Sequence, residues 1–295
     1  MKSFKKIIAL IAVLTVALTV FTACGDKAEN TGEEAVKDFD KVVLEEVGTA
    51  AVEAFEKIDS VHISQNVDLS ANLGGMDSLI KVNMESDVEV AENKMHAKGK
   101  ADSNGLAMDM EMYVEENGED ASVYVNVNNS SWMKQDLPIE QLKADPSYND
   151  YYESAVYLMT ALQGVEKSET THMGKAAIMV TGVLDKEDPE GIMSSVGVTS
   201  PISSSGITTE HFRKMLTGLE AVQVTAYFEK STGLPLQIDL DMTAFMNSVY
   251  ANLGEVMGQT VSADVKYAKA SMVFTEYNNT TADVPEEVKS AVSSI

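Results

Sequence analysis

The sequence predicts an α+β protein built on one curved antiparallel sheet, a half-barrel of about ten to eleven strands with helices packed on its concave face. Three observations predict it. Apolar and polar residues alternate along most of the chain, the pattern of a sheet with one dry and one wet face. Turn signals separate the alternating runs at hairpin spacing. A few stretches switch to a period of three and four, which sets helices between groups of strands. A sheet of that many strands must curl.

The first element is a helix over residues 39–58. Phe39, Val42, Val43, Val47, Ala50, Ala51, Ala54 and Ile58 share one face and leave Lys41, Glu45, Glu46, Glu53 and Lys57 outward. The period then changes to two. Ile80, Val82, Met84, Val88 and Val90 alternate with Lys81, Asn83, Glu85, Asp87 and Glu89. Leu106, Met108, Met110, Met112 and Val114 alternate with Asp109, Glu111 and Glu115, and Val123, Val125 and Val127 follow. Later runs are Val222, Val224, Ala226 and Phe228, then Leu236, Ile238, Leu240 and Met242 against Gln237, Asp239 and Asp241. Hairpin turns are expected at 73–75, 103–105, 116–118 and 231–233, each carrying glycine.

Helical signals interrupt the strands. Asp145-Pro146 is an N-cap followed by proline at the first helical position. Tyr148, Tyr151, Tyr152, Ala155, Leu158, Met159 and Leu162 then share a face, and Gly164 ends the run. A second helical region extends from Asp188 to about Leu219 around a Ser-rich loop at 197–206. A third candidate comprises Met246, Val249, Tyr250, Leu253 and Met257. The connection 243–261 is longer than a hairpin needs, so that helix is a candidate lid over the mouth of the sheet, with Gly254 and Gly258 permitting movement; the alternative, that it is part of the core, is the stronger.

The amino terminus locates the protein. Lys2, Lys5 and Lys6 precede an apolar run from Ile7 to Phe21, shorter than the roughly 20 residues of a membrane span but suited to a secretory signal. The run closes on Phe21-Thr22-Ala23-Cys24-Gly25, which resembles a bacterial lipobox with Phe21 in place of the commoner leucine. Residues 1–23 therefore read as a lipoprotein signal peptide, Cys24 as the lipidated residue, 24–37 as a flexible acidic tether, and 38–295 as a single domain. The expected location is the extracytoplasmic face of the cell membrane, held by acyl chains at Cys24. Cys24 is the sole cysteine, so the fold has no intramolecular disulfide and must rest on a hydrophobic core.

Charge narrows the partners. The chain carries 22 basic and 46 acidic residues; without Lys2, Lys5 and Lys6, 19 remain against 46, a net charge near −27. Such a surface disfavours nucleic acid and electrostatic adsorption to anionic lipid. Protein partners are not specified by the sequence. Catalytic signatures fail: His62, His96, His172 and His211 are scattered, and neither a His-Glu-x-x-His zinc motif nor a Gly-x-Ser-x-Gly elbow nor a nucleotide-binding glycine motif occurs. Ser131-x-x-Lys134 matches a penicillin-binding signature only formally, since it lies in a strand beside Trp132. Trp132 reads as a packing anchor. Asp239 and Asp241 share the wet face of one strand, where solvated charge is favoured over a calcium site. No enzymatic activity, cofactor or metal is expected.

The order of elements resembles the LolA, LppX and LprG superfamily of lipoproteins and lipid carriers, and more closely Gram-positive lipoproteins of that superfamily without an assigned activity. The residues that carry the resemblance run from about Phe39 to Val288: a helix ending in Ile58-Asp59-Ser60-Val61-His62, Met-rich alternating strands, Ser131-Trp132-Met133-Lys134, the hairpin Phe228-Glu229-Lys230-Ser231-Thr232-Gly233-Leu234-Pro235, and the tail Val284-Pro285-Glu286-Glu287-Val288. The resemblance implies an unclosed antiparallel sheet around helices, an apolar cavity and a role in binding a lipid or other amphiphile. It carries no catalytic residue. The cavity lining it implies is Met84, Met108, Met110, Met112, Val123, Val125, Leu240, Met242, Met246 and Leu253. Methionine is unbranched and polarizable and adapts to ligands of variable shape, but the same residues equally fit a filled core. A filled core would instead make the protein a non-enzymatic interaction or sensor module of the envelope.

Overall fold

The computed structural model describes residues 47–73, 75–90, 92–139, 162–184, 218–256 and 263–292. Eleven strands form one antiparallel, unclosed sheet in the order β6-β5-β4-β3-β2-β1-β11-β10-β9-β8-β7. They are β1 (Ser60–Leu73), β2 (Met76–Glu89), β3 (Lys94–Ser103), β4 (Leu106–Asn117), β5 (Asp120–Val127), β6 (Met133–Pro138), β7 (Leu162–His172), β8 (Lys175–Leu184), β9 (Gln223–Glu229), β10 (Pro235–Asp241) and β11 (Ala263–Thr275). Among the described residues three helices accompany them: α1 (Val47–Phe55), α2 (Thr243–Val256) and α3 (Glu286–Ser290). The sheet is two meanders joined in the middle, where β1 pairs with β11 from His62↔Thr275 to Leu73↔Ala263.

The expected alternation sets the faces. On β2, Val82, Met84, Ser86 and Val88 are buried, while Lys81, Asn83 and Glu85 are exposed. The inward positions of β1 to β4 and β8 to β11 join α1 and α2 in one apolar cluster. Phe55 of α1 meets Phe274 of β11 edge to face, with ring centroids 6.2 Å apart. Phe245 and Val249 of α2 enter the same cluster. The helices thus cover the concave face, and the sheet is one continuous body. The edge strands β6 and β7 are largely exposed and carry Lys134, Asp136, Glu166, Lys167 and Glu169, charges that discourage further strand pairing.

All four expected turns close hairpins, at Gly75, Asn104-Gly105, Gly118 and Gly233, and each of these glycines has positive φ. A fifth turn, Met173-Gly174, joins β7 to β8 with φ of 51° and 77° and has no strong sequence signal. Three helix expectations are altered. The first helix ends at Phe55, and Ile58 is buried just past that end. Leu162 opens β7 opposite Leu184 instead of lying on a helix, and Gly164 sits in a bulge between Gln163 and Glu166 with φ of 61°. Leu219 is non-helical, since Gly218 turns the chain with φ of 64°. The body of the helix expected from Asp145-Pro146, the region 188–217, residues 39–46 and residues 257–261 lie outside the described residues, as do Cys24 and the signal and tether segments.

The C-terminal residues close a strap over the outer face of β1 to β5. Asn278 N donates to Ser60 O (2.8 Å), Thr280 N to Ser60 Oγ (3.2 Å), and Ala282 N to Glu89 Oε1 (2.5 Å). Val284 and Val288 then pack with Tyr113 and Tyr124, joined by Trp132 and Val292. Trp132 lies tilted on Tyr113 at 5.6 Å and acts as the packing anchor its context suggests.

Candidate functional site: the concave face

The register of β2 to β4 sets small side chains beside methionine on the buried inner face. Met84 stands opposite Gly99, which stands opposite Met110. Ala101 lies between Val82 and Met108, and Ala97 between Ser86 and Met112. Strand β3 therefore offers only Ala97, Gly99 and Ala101 along its middle, flanked by Met108, Met110 and Met112 on β4 and by Val82, Met84 and Ser86 on β2. The result is a strip of small side chains bordered by flexible thioethers, which can rearrange without breaking a polar contact.

The structure brings most of the expected lining together. Met84 (1% exposed), Met108 (6%), Met110, Met112 and Leu240 are buried in the main cluster, and Val123, Val125, Met242 and Met246 pack against it partly buried. Met84, Met108, Met110, Met112, Val123 and Val125 are neighbours on β2, β4 and β5. Leu240, Met242 and Met246 belong to the opposite half, where Met242 and Met246 also touch a smaller cluster of Ala71, Val265 and Ala268. The side chain of Leu253 lies outside the described residues.

Helix α2 is docked as well as placed over the sheet. Asn247 bridges it to β11, accepting from Val265 N (2.8 Å) and donating to Val265 O (3.0 Å). Thr243 Oγ1 accepts from Ala268 N (3.0 Å), and Phe245 is 1% exposed. This part of the 243–261 connection is core.

Two inward residues escape the apolar scheme. Gln65 interrupts the run Val61, Ile63, Val67, Leu69 on β1, and Ser86 interrupts Val82, Met84, Val88 on β2. Gln65 Oε1 and Ser86 Oγ are buried without a hydrogen-bond partner. A polar residue in an otherwise apolar strand register was the sequence signal for both.

The outer face of the same strands is the reverse, charged and hydrogen-bonded. His62 bonds Asp87 Oδ1 through Nδ1 (2.7 Å) and Glu85 Oε2 through Nε2 (3.0 Å). Thr280 Oγ1 donates to Asp87 (2.6 Å), and His96 bonds Glu111 (3.0 Å) while stacking on Tyr113 at 4.3 Å. Burial alone would lower the His62 pKa, but the hydrogen bonds and charges of Asp87 and Glu85 outweigh it and leave it raised. Burial likewise opposes ionisation of Asp87, yet hydrogen bonds from Thr280 and His62 hold its pKa below the usual carboxylate value. Burial, then the Glu111 charge, pushes the Tyr113 hydroxyl up to about 12. Among the described residues no three such groups are disposed to hold a metal ion. Asp239 and Asp241 are engaged in protein contacts: Asp239 accepts from Ser271 Oγ (2.6 Å) and Gln237 Nε2 (2.8 Å), and Asp241 pairs with Lys269 (3.4 Å) and accepts from Thr243 N (3.0 Å).

These features define an open antiparallel sheet, mostly β with few helices, whose one apolar face is lined by methionine. The chain belongs to a family of unknown function, DUF6612, whose model matches residues 43–293. No curated protein sequence matches it. Among solved structures it is similar to LprF from Mycobacterium bovis, at 12% identity and a TM-score of 0.46, over 82% of this chain and 96% of that one. It is also similar to a DUF1329 family protein from Desulfovibrio piger (10% identity, TM-score 0.25, 82% and 95% covered) and to a β-barrel-like DUF1849 protein from Brucella abortus (7%, 0.21, 74% and 99%). At these scores the likenesses bear on chain course alone.

Proposed function

We propose that this is an exported lipoprotein, anchored through acyl chains at Cys24 on the extracytoplasmic face of a cell membrane, that binds a lipid or other amphiphile on the concave face of its sheet. The observation that supports it is the strip of Ala97, Gly99 and Ala101 beside the β4 row of Met108, Met110 and Met112, with Met84 across from Gly99, a lining that can part to admit an acyl chain at little cost in specific contacts. Binding needs no covalent step. Burying apolar area yields about 25 cal/mol per Å², so a chain of ordinary length supplies several kcal/mol before the costs of ordering are met. Specificity would come from the few polar groups on that face.

The full chain carrying Cys24→Ser, exported and purified without detergent, tests both halves of the proposal. Release of the variant into the soluble fraction supports lipidation, and retention in the membrane refutes it. A stoichiometric amphiphile in native mass spectrometry supports the binding role. A clean protein mass that stays unchanged after incubation with membrane lipid extract refutes it. That result would favour the second reading, an interaction module with a filled core, for which the near-complete burial of Met84 and Met108 speaks.

A further inference from the structure

The two residues that carry orphaned polar atoms on the concave face are diagonal neighbours in the strand register. Gln65 on β1 stands opposite Met84, and Ser86, two residues on from Met84, stands opposite Ile63. The pair is thus diagonal across two hydrogen-bonded strands, at a spacing of about 7 Å between backbones. Ser86 is 2% exposed, and Gln65 Oε1 is buried, so neither group is satisfied by bulk water. An unpaired buried acceptor or hydroxyl costs free energy that two apolar residues would avoid. The positions facing the pair on the adjoining strands are Ile63, Met84, Ala97, Met272 and Phe274, none of them charged.

We infer that Gln65 and Ser86 form the polar anchor of this face and take a neutral amphiphile with a free hydroxyl, such as a monoacylglycerol, with its acyl chain along the β3 strip. The chemistry follows from the atoms. Gln65 Oε1 only accepts, so the ligand must donate; Ser86 Oγ–H can donate in return, so one alcohol oxygen satisfies both. A phosphate or carboxylate would bring an uncompensated charge among apolar side chains and a second acceptor against Gln65 Oε1. An ester lacking a hydroxyl would leave Gln65 unpaired. This assignment rests on the lipid-binding reading and names its ligand class.

The test uses the full chain with Cys24→Ser and two probes that share one acyl chain, 1-monooleoylglycerol and methyl oleate, titrated by displacement of a bound polarity-sensitive dye. Wild type at the pair should prefer the monoacylglycerol by roughly tenfold, about 1.4 kcal/mol. Ser86→Ala should weaken monooleoylglycerol and leave methyl oleate unchanged. Gln65→Leu combined with Ser86→Ala should make the two probes equal and raise the Tm of the unliganded protein. Equal affinity of both probes for the parent chain overturns the anchor while leaving lipid binding intact. A preference that survives the double substitution also overturns it, as does a fall in Tm, since the groups would then have partners. Failure of both probes to bind overturns the anchor and the lipid-binding reading together.

Discussion

Gly99 is where the packing of β2 on β3 allows no side chain, and Gly99→Ala therefore makes a sharp test of the inner face. A Cβ at this position would lie far inside contact distance of the Asn83 carbonyl oxygen and Met84 Sδ, and 2.8 Å from Met84 Cα. Methionine sulfur can swing aside, but the Asn83 carbonyl and Met84 Cα are backbone, so the strands themselves must separate. Forcing a methyl group into such a site costs about 3 kcal/mol. In a domain of this size each kcal/mol lowers Tm by roughly 2–4 °C, so the variant should melt about 6–12 °C below the parent by far-UV circular dichroism. Gly118→Ala is the control: a Cβ there meets open space, and only the left-handed φ of 74° resists it, for about 1 kcal/mol. Adding Met84→Ala to Gly99→Ala should give no rescue, because it leaves the backbone obstruction in place. A Tm within about 2 °C of the parent, or recovery in the double variant, would refute the view that backbone approach dictates the glycine.

Three further outcomes are expected. Phe245→Ala should cost about 3–5 kcal/mol in urea unfolding if α2 is core, whereas a loss below about 1 kcal/mol would make it a detachable lid. Val288→Ala removes two buried carbons from the strap, worth about 1.6 kcal/mol; because Trp132 is the sole tryptophan and sits in that cluster, its fluorescence should report the same shifted transition. A separate early Trp132 transition would instead show the strap detaching by itself. The raised His62 pKa means that its contribution is full below its unfolded value of 6.5 and is lost as pH rises through the folded value. Asp87 acts oppositely, its contribution being present above the unfolded carboxylate value of 3.8 and lost as pH falls through its lowered folded value. His62→Gln should accordingly flatten the decline of Tm between about pH 6 and 8, and an unchanged slope would remove His62 as its source.

Much of the fold was legible along the chain. Alternation marked the strands that contain Met84, Met110, Val125, Ala226 and Leu240, and glycine turns such as Asn104-Gly105 placed the hairpins, because strand faces and tight turns are set by nearest neighbours. The inward burial of Met84, Met108, Met110, Met112 and Leu240 was legible for the same reason. Leu162 was misread because a helical period in the preceding residues runs into the strand without a break, and only pairing with Leu184 decides between them. The strap was illegible beyond its likeness in sequence, since Thr280 finds Asp87 and Val288 finds Tyr113 across nearly the whole length of the domain.

By itself the sequence determined the acidic composition and which side of each strand is apolar; both are properties of composition and local period. Only the tertiary structure decided that β1 and β11 join the two meanders, that α2 is docked by Asn247, and that Gln65 Oε1 and Ser86 Oγ, on diagonally placed residues of β1 and β2, are buried without partners. Those facts depend on which strand neighbours which, and a period of two repeats identically on every strand, so it assigns a face to each residue and a partner to none.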